Sequence, residues 1–308
     1  MLRQLSRRLA IGAIRLTNWL VDGVVLSVLM LIVLFTAYSV LDNNRVVEQA
    51  EGQVFESYRP DSDDDPTFDE LVALNPDVVG WLTLYGTGVD YPLVQGQDND
   101  EYLNANPAGE FALSGSLFLD WRCAPDFSGP STIVFGHHME DSLMFGDLDR
   151  YGDGDYFNQH RYGNIYYGGA NHGVEVCAYL LVDAYDEVVY STTVGSSPTT
   201  EEFLAYLKAN AGQWVDGALT ANDYMLVLST CGSGTNDRHV VVARITDQTF
   251  EDGFVEETVE RTLAGTVSEG LQLWAKIGIA LLVFLLLAWV VGSPSRRRAR
   301  VAGKSEKE

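Results

Sequence analysis

Cysteine is scarce in this chain of 308 residues, with Cys123, Cys177 and Cys231 its only three. Three thiols close at most one bridge. That excludes a disulfide-stapled scaffold and leaves at least one sulfur unpaired, even in an oxidising compartment. Cys123 and Cys177 either pair with each other or are both reduced. Basic side chains are scarce too: 20 Lys and Arg stand against 43 Asp and Glu, for a formal charge of −23. Residues 41–271 hold 40 of those acidic residues and only nine basic ones. Such a body lacks the basic patches that nucleic acid rewards, so nucleic acid is excluded as a partner. Solubility accounts for the acidity. Repeats at solenoid spacing are absent. The run Asp61-Ser62-Asp63-Asp64-Asp65 lacks the spaced oxygens and sharp Gly of a calcium loop, and reads as a solvated spacer.

Long apolar runs are missing from the body and present at both ends. Gly23–Leu41 is uncharged and mostly apolar over 19 residues, enough for a bilayer core. Arg3, Arg7, Arg8 and Arg15 precede it and no clear A-x-A site closes it, which predicts an uncleaved anchor. Ile277–Gly292 is apolar over 16 residues. It reaches spanning length by including Leu271–Ala275, with Lys276 near the interface. Arg296, Arg297, Arg298 and Arg300 follow. Basic flanks on both runs put both termini in the cytoplasm and the acidic body outside the cell membrane. The expected order is a basic cytoplasmic N-terminus (1–18), a transmembrane helix (19–41) and an extracellular polar spacer (42–66). A folded domain (67–250) and an extracellular linker (251–270) come next. A second transmembrane helix (271–292) and a basic cytoplasmic tail (293–308) end the chain, with membrane lipid as a partner.

Within the body, Thr67-x-x-Glu70 is a capping box ahead of Leu71, Val72 and Leu74, predicting a short helix that stops before Pro76. The pattern then turns to short apolar runs bounded by Gly, Pro, Asn or Asp: VVGWLTLYG, VDYPLVQ and SGSLFLD. Asp98–Leu103 reads as a short helix. Ser131–Gly136 is a strand that delivers His137 and His138 at its end. Met139–Leu148 reads as a loop entering a short helix. Asn164–Tyr167 and Gly173–Tyr185 read as strands, and Thr199–Ala211 as an amphipathic helix capped by Thr199 or Thr200. About eight short strands with few helices argue for a β-barrel or sandwich in one domain.

The richest stretch is Tyr224–Ile245. Tyr224–Thr230 is nearly all apolar and β-branched, as suits a strand buried on both faces. It ends at Cys231; Gly232–Asn236 form a loop, and a second strand returns over His239–Ile245 with Arg238 at its entrance. A hairpin of this kind puts the thiol and the guanidinium at one sheet edge. A lone strand-end Cys is most often a small buried hydrophobe. The upstream histidine changes that reading, because acyl chemistry at a thiol needs a base and a group that stabilises an oxyanion. His160 and His172 read as solvated loop residues, and His239 as structural. Arg244 shares a face with Arg238 but lies about 20 Å further along the strand, too far to join the site.

These residues carry a resemblance. Leu228-Ser229-Thr230-Cys231, with Arg238 opening the next strand, resembles the Leu-x-Thr-Cys and Arg signature of sortases. Gly136-His137-His138-Met139 with Ser142-Leu143-Met144-Phe145 is similar to the histidine motif of class B members. Gly80-Trp81-Leu82, Asp90-Tyr91-Pro92-Leu93-Val94-Gln95 and Gly115-Ser116-Leu117-Phe118-Leu119-Asp120 are similar to that class's early strands. The likeness covers roughly Asp69–Ile245. It implies a mainly β fold, an eight-stranded sortase-type barrel with a few short helices, as the catalytic domain of a Gram-positive cysteine transpeptidase. It also implies Cys231 as nucleophile, His137 as general acid/base, Arg238 as the substrate and oxyanion contact, and Ser229 and Thr230 as substrate-binding. Such enzymes cleave a surface protein's sorting signal after Thr, hold an acyl-thioester and pass it to an amine. That amine belongs to a peptidoglycan precursor or, in pilin polymerases, to a pilin lysine. No metal or organic cofactor is required by this chemistry. The second anchor departs from class B habit and is more typical of pilin-polymerising class C enzymes. An idle membrane-tethered binding module and a hydrolytic cysteine protease are the other readings.

Overall fold

The structure, a computed structural model, describes residues 2–50, 55–60, 67–231 and 236–254. The acidic run 61–65, the loop 232–235, the linker from residue 255, the second apolar run and the basic tail lie outside the described residues. The described residues divide into two units, one ending at Asn43 and the other beginning at Asn44. Helix α1 (Leu2–Ala50) contains an apolar segment, Gly12–Thr36, with mean hydropathy 2.4 and none of it buried. Its 25 residues rise about 37 Å at 1.5 Å each, long enough to cross a membrane core. It overlaps the expected span at 19–41 and begins earlier.

Helix α2 (Thr67–Leu74) ends as the sequence predicts, one residue before Asn75-Pro76. The Asn75 N–H caps it on the Leu71 carbonyl, while the Asn75 amide bonds Tyr102 and the Pro107 carbonyl. Strands β1 (Val78–Leu84), β2 (Asp90–Val94), β3 (Leu117–Leu119) and β4 (Ser131–Phe135) follow. Helix α3 (Gly154–Gln159) precedes β5 (Tyr162–Tyr167) and β6 (Ala170–Asp183). Helix α4 (Thr200–Asn210) precedes β7 (Gln213–Trp214), β8 (Tyr224–Cys231) and β9 (Asp237–Thr246). The sheet order β5-β1-β2-β3-β4-β8-β9-β6 closes on itself through β6 and β5, so eight strands make a barrel and β7 is a short flap on β6. Two pairings, β2–β3 and β4–β8, are parallel; the rest are antiparallel. Of the two architectures that the strand count allows, the barrel is the one adopted.

Alternation sets the layers. Leu226 and Leu228 of β8, with Val241 and Ala243 of β9, fill the barrel interior. Met225 and Val227, with Val240 and Val242, face a second apolar layer completed by Phe203 and Leu207 of α4. Both faces of β8 are therefore buried, which is why its sequence is continuously apolar. Thr199 caps α4 in a reciprocal box with Glu202. A bulge between Val176 and Ala178 lets both Cys177 and Ala178 join that outer layer.

Four local readings change. Asp98–Leu103 forms only a 3-10 turn at Glu101–Leu103, because Asp98 spends its carboxylate oxygen on the Asp100 and Glu101 N–H groups. Helix α3, capped by Asp153, was not expected, being a single short turn behind Gly154. His160 is buried, not solvated. It stacks between Tyr156 and Phe254, with Nδ1 at 2.9 Å from the Tyr156 carbonyl. Likewise His172 sits in β6 and stacks on Tyr167.

Candidate active site

Strand register assembles the site. The parallel pairing of β4 with β8 sets Phe135 opposite Ser229, so His137 and Cys231, each two residues further on, emerge at one level. The antiparallel pairing of β8 with β9 sets Cys231 opposite Arg238. Gly136 carries the chain from β4 into the histidine. Its N–H bonds the Ser229 carbonyl, and a Cβ there would lie 2.4 Å from Leu117 and 2.7 Å from the Phe145 ring. A larger residue at that point would have to displace these buried side chains, which accounts for the Gly-His pair.

A cavity of about 330 Å³ opens over this edge, lined by His137, Arg238, Ser229, Thr230, Phe135 and Tyr190 among others. His137 is partly buried, and burial holds its imidazole below the usual range, favouring the neutral ring. His138 points elsewhere and bonds Asp149 at 3.3 Å. The Arg238 guanidinium has, among the described residues, only a marginal 3.5 Å contact with the Asp237 carbonyl. Ser229 is buried and shares a 2.9 Å hydrogen bond with Tyr190. The Thr230 hydroxyl is buried and has no partner among the described residues, an unusual state for a polar group and one a ligand would relieve. The structure thus gathers His137, Arg238, Ser229 and Thr230 round one cavity and ends β8 with Cys231 beside them.

The residues set aside stay aside. Arg244 bonds Glu175, which also receives Arg161, on the far part of the barrel wall. The His239 Nδ1 lies 2.6 Å from the Tyr179 hydroxyl. Cys123 and Cys177 are both free and buried, so they do not pair. Burial raises both thiols, Cys177 to about 12, which leaves them inert. Among the described residues, no group of three or more His, Cys, Asp or Glu side chains could hold a metal ion.

Two features escaped sequence reasoning. Tyr190 reaches the cavity from a loop with no readable pattern. Asn99, Asp120 and Arg122 close its other end, and their one signal was a lone basic residue following SGSLFLD in an acidic chain.

A closed barrel with a cysteine strand, an arginine strand and a histidine at one edge is the architecture on which the sortase domain model matches, over residues 82–246. The chain belongs to the sortase family, whose members are cysteine transpeptidases. Its likenesses within that family fall in class B. Sortase B of Staphylococcus aureus is 32% identical over 186 residues, 58% of this chain and 75% of that protein. Sortase B of Listeria monocytogenes is 35% identical over 162 residues; the match spans 53% of this chain and 65% of the relative, just under two thirds of its length. The crystal structure of sortase B from the type II pilus of Streptococcus pneumoniae is 43% identical, with a TM-score of 0.51. It covers 59% of this chain and 99% of that one.

Proposed function

We propose that the chain is a membrane-anchored, extracellular transpeptidase that cleaves a sorting signal after its Thr and transfers the acyl part to a cell-wall amine. The observation that carries this reading is the register that puts Cys231 opposite Arg238 and level with His137 at the cavity. Neutral His137 takes the proton of the Cys231 thiol, the thiolate attacks the Thr carbonyl, and the Arg238 guanidinium stabilises the resulting oxyanion. Protonated His137 gives its proton to the departing amine as the C–N bond breaks, leaving a thioester on Cys231 and a neutral imidazole. The acceptor amine then attacks the thioester. It loses a proton to His137, a new amide forms and the thiolate leaves. The buried, unpartnered Thr230 hydroxyl and the Ser229–Tyr190 pair offer hydrogen bonds to the signal peptide. The apolar helix segment Gly12–Thr36 supplies the anchor, and residues 271–292 a second one, with both termini cytoplasmic and 67–250 outside.

A second reading keeps the chemistry and changes the acceptor to a pilin lysine. It is favoured by the 43% identity to a sortase B of a pneumococcal pilus. The deciding experiment incubates the full chain with Asn-Pro-x-Thr and Leu-Pro-x-Thr peptides, offering a cross-bridge amine and a lysine-bearing pilin peptide together. The expected result is cleavage after Thr, an adduct on Cys231 that Cys231→Ala abolishes, and transfer to the cross-bridge amine. Transfer to the pilin lysine establishes polymerisation instead. Hydrolysis without amine product identifies a protease, and no cleavage returns the chain to a binding module.

A further inference from the structure

The cavity has two cationic ends, and only one is used above. Arg238 stands at the reacting end; the other Lys or Arg side chain among the lining residues is Arg122. Arg122 is held in a fixed pose. Its Nε and Nη2 bond the two carboxylate oxygens of Asp120 at 2.8 and 2.6 Å. Asp120 is fully buried and further secured by the Arg122 backbone N–H and the Asn99 amide. Burial alone would raise the Asp120 carboxyl; the hydrogen bonds from Arg122 and Asn99 outweigh it and hold it below the usual range. The Arg122 side chain itself is 44% exposed. A guanidinium has five N–H donors, so three have no partner among the described residues. A buried carboxylate holds a planar cation at a groove whose lining between it and His137 includes the rings of Phe118 and Phe135.

Distance and chemistry say what it meets. The Asp120 N–H bonds the Ile133 carbonyl, four residues before His137. That is about 13 Å along an extended strand, or four residues of extended peptide. If His137 protonates the leaving amine, the departing chain lies beside it. The acyl segment then runs the other way, over Phe135 and Phe118 toward Arg122. We propose that Arg122 is a specificity-determining contact, taking an acidic side chain on the donor peptide at the position just before its four-residue signal. This rests on the transpeptidase reading and adds a charge preference to it. A planar, pre-oriented fork suits a carboxylate better than a lysine would.

The test measures binding and turnover separately. Full-length chain carrying Cys231→Ala is titrated with fluorescent Asn-Pro-x-Thr peptides bearing Glu, Gln or Lys just before the Asn. The Glu peptide should bind about fivefold tighter than Gln and the Lys peptide weaker, with the spread shrinking in high salt. Arg122→Gln should erase the spread. Because that change strands a buried carboxylate, the Asp120→Asn/Arg122→Gln double variant is measured beside it. Equal affinity for the three peptides, no binding at all, or a preference that survives the double variant overturns the assignment. Adduct formation by the wild-type chain on the Gln peptide is read in parallel. Charge indifference with a normal adduct sinks Arg122 alone, whereas failure to form any adduct sinks the transpeptidase reading beneath it.

Discussion

His137 and His138 are neighbours in sequence with different surroundings. One lines the cavity beside Arg238, and the other bonds Asp149 outside it. His137→Ala should therefore lose more than 99% of turnover, about 3 kcal/mol or more of transition-state stabilisation, while His138→Ala keeps a measurable rate. Steady-state kinetics on one peptide separates them, and the reverse ranking would move the acid/base role by one residue. The same ring carries a pH signature. Burial holds His137 and His239 below their ordinary range near 6.5, so each binds its proton more readily in the unfolded chain. Stability from these two is complete above about pH 6.5 and is lost as pH falls below it. Melting temperature should drop between about pH 7 and 5, with a shallower slope in His239→Gln. An unchanged slope would show that His239 carries none of the effect. The meeting of Cys231, His137 and Arg238 at one sheet edge was legible at this scale because each sits at a strand end in a motif. Thr230 was legible as a residue, but nothing in the sequence shows that its hydroxyl lacks a partner.

At the scale of elements, the loop after His137 is the most constrained segment. Asp141, Ser142 and Met144 all take positive φ, between 52° and 61°, a conformation that costs of order 1 kcal/mol each for such residues. Something must hold it. The buried Asp147 side chain accepts hydrogen bonds from the Gly88 N–H, the Ser142 hydroxyl and Arg150, while the Met144 N–H bonds the Tyr91 hydroxyl. Gly88 fits because any Cβ there would strike the Ser142 carbonyl. Asp147→Ala should cost about 2–4 kcal/mol in denaturant unfolding, through three lost bonds around a buried site. It should also lower kcat more than it raises KM, since His137 rides on this loop. A KM effect alone would mean the loop serves binding. Helices α2 and α4 were readable from Ser/Thr-x-x-Glu patterns, and α4 carries the full reciprocal box. Helix α3 was not, because six residues starting at Gly154 show no periodicity, and the 3-10 turn at Glu101–Leu103 mimics a helix start.

For the whole molecule, the apolar runs and their basic flanks make a topological prediction. Tags at either terminus should resist protease added outside intact protoplasts, while the 67–250 region is cut or labelled. A C-terminal tag removed from outside would eliminate the second span. The strand count was legible from turn spacing, but the strand order was not. Sequence neighbours predict hairpins, whereas β8 inserts between β4 and β9, joining segments about 94 positions apart in parallel. That insertion also governs when the protein acquires reactivity. Closing so long a loop is entropically slow, and pairing across it comes late in folding. Until β8 seats against β4, Cys231 and His137 belong to separate parts of an unfinished chain. Under the proposed roles, a growing or half-folded molecule cannot yet bring nucleophile and base together, and turnover waits on completion of the barrel.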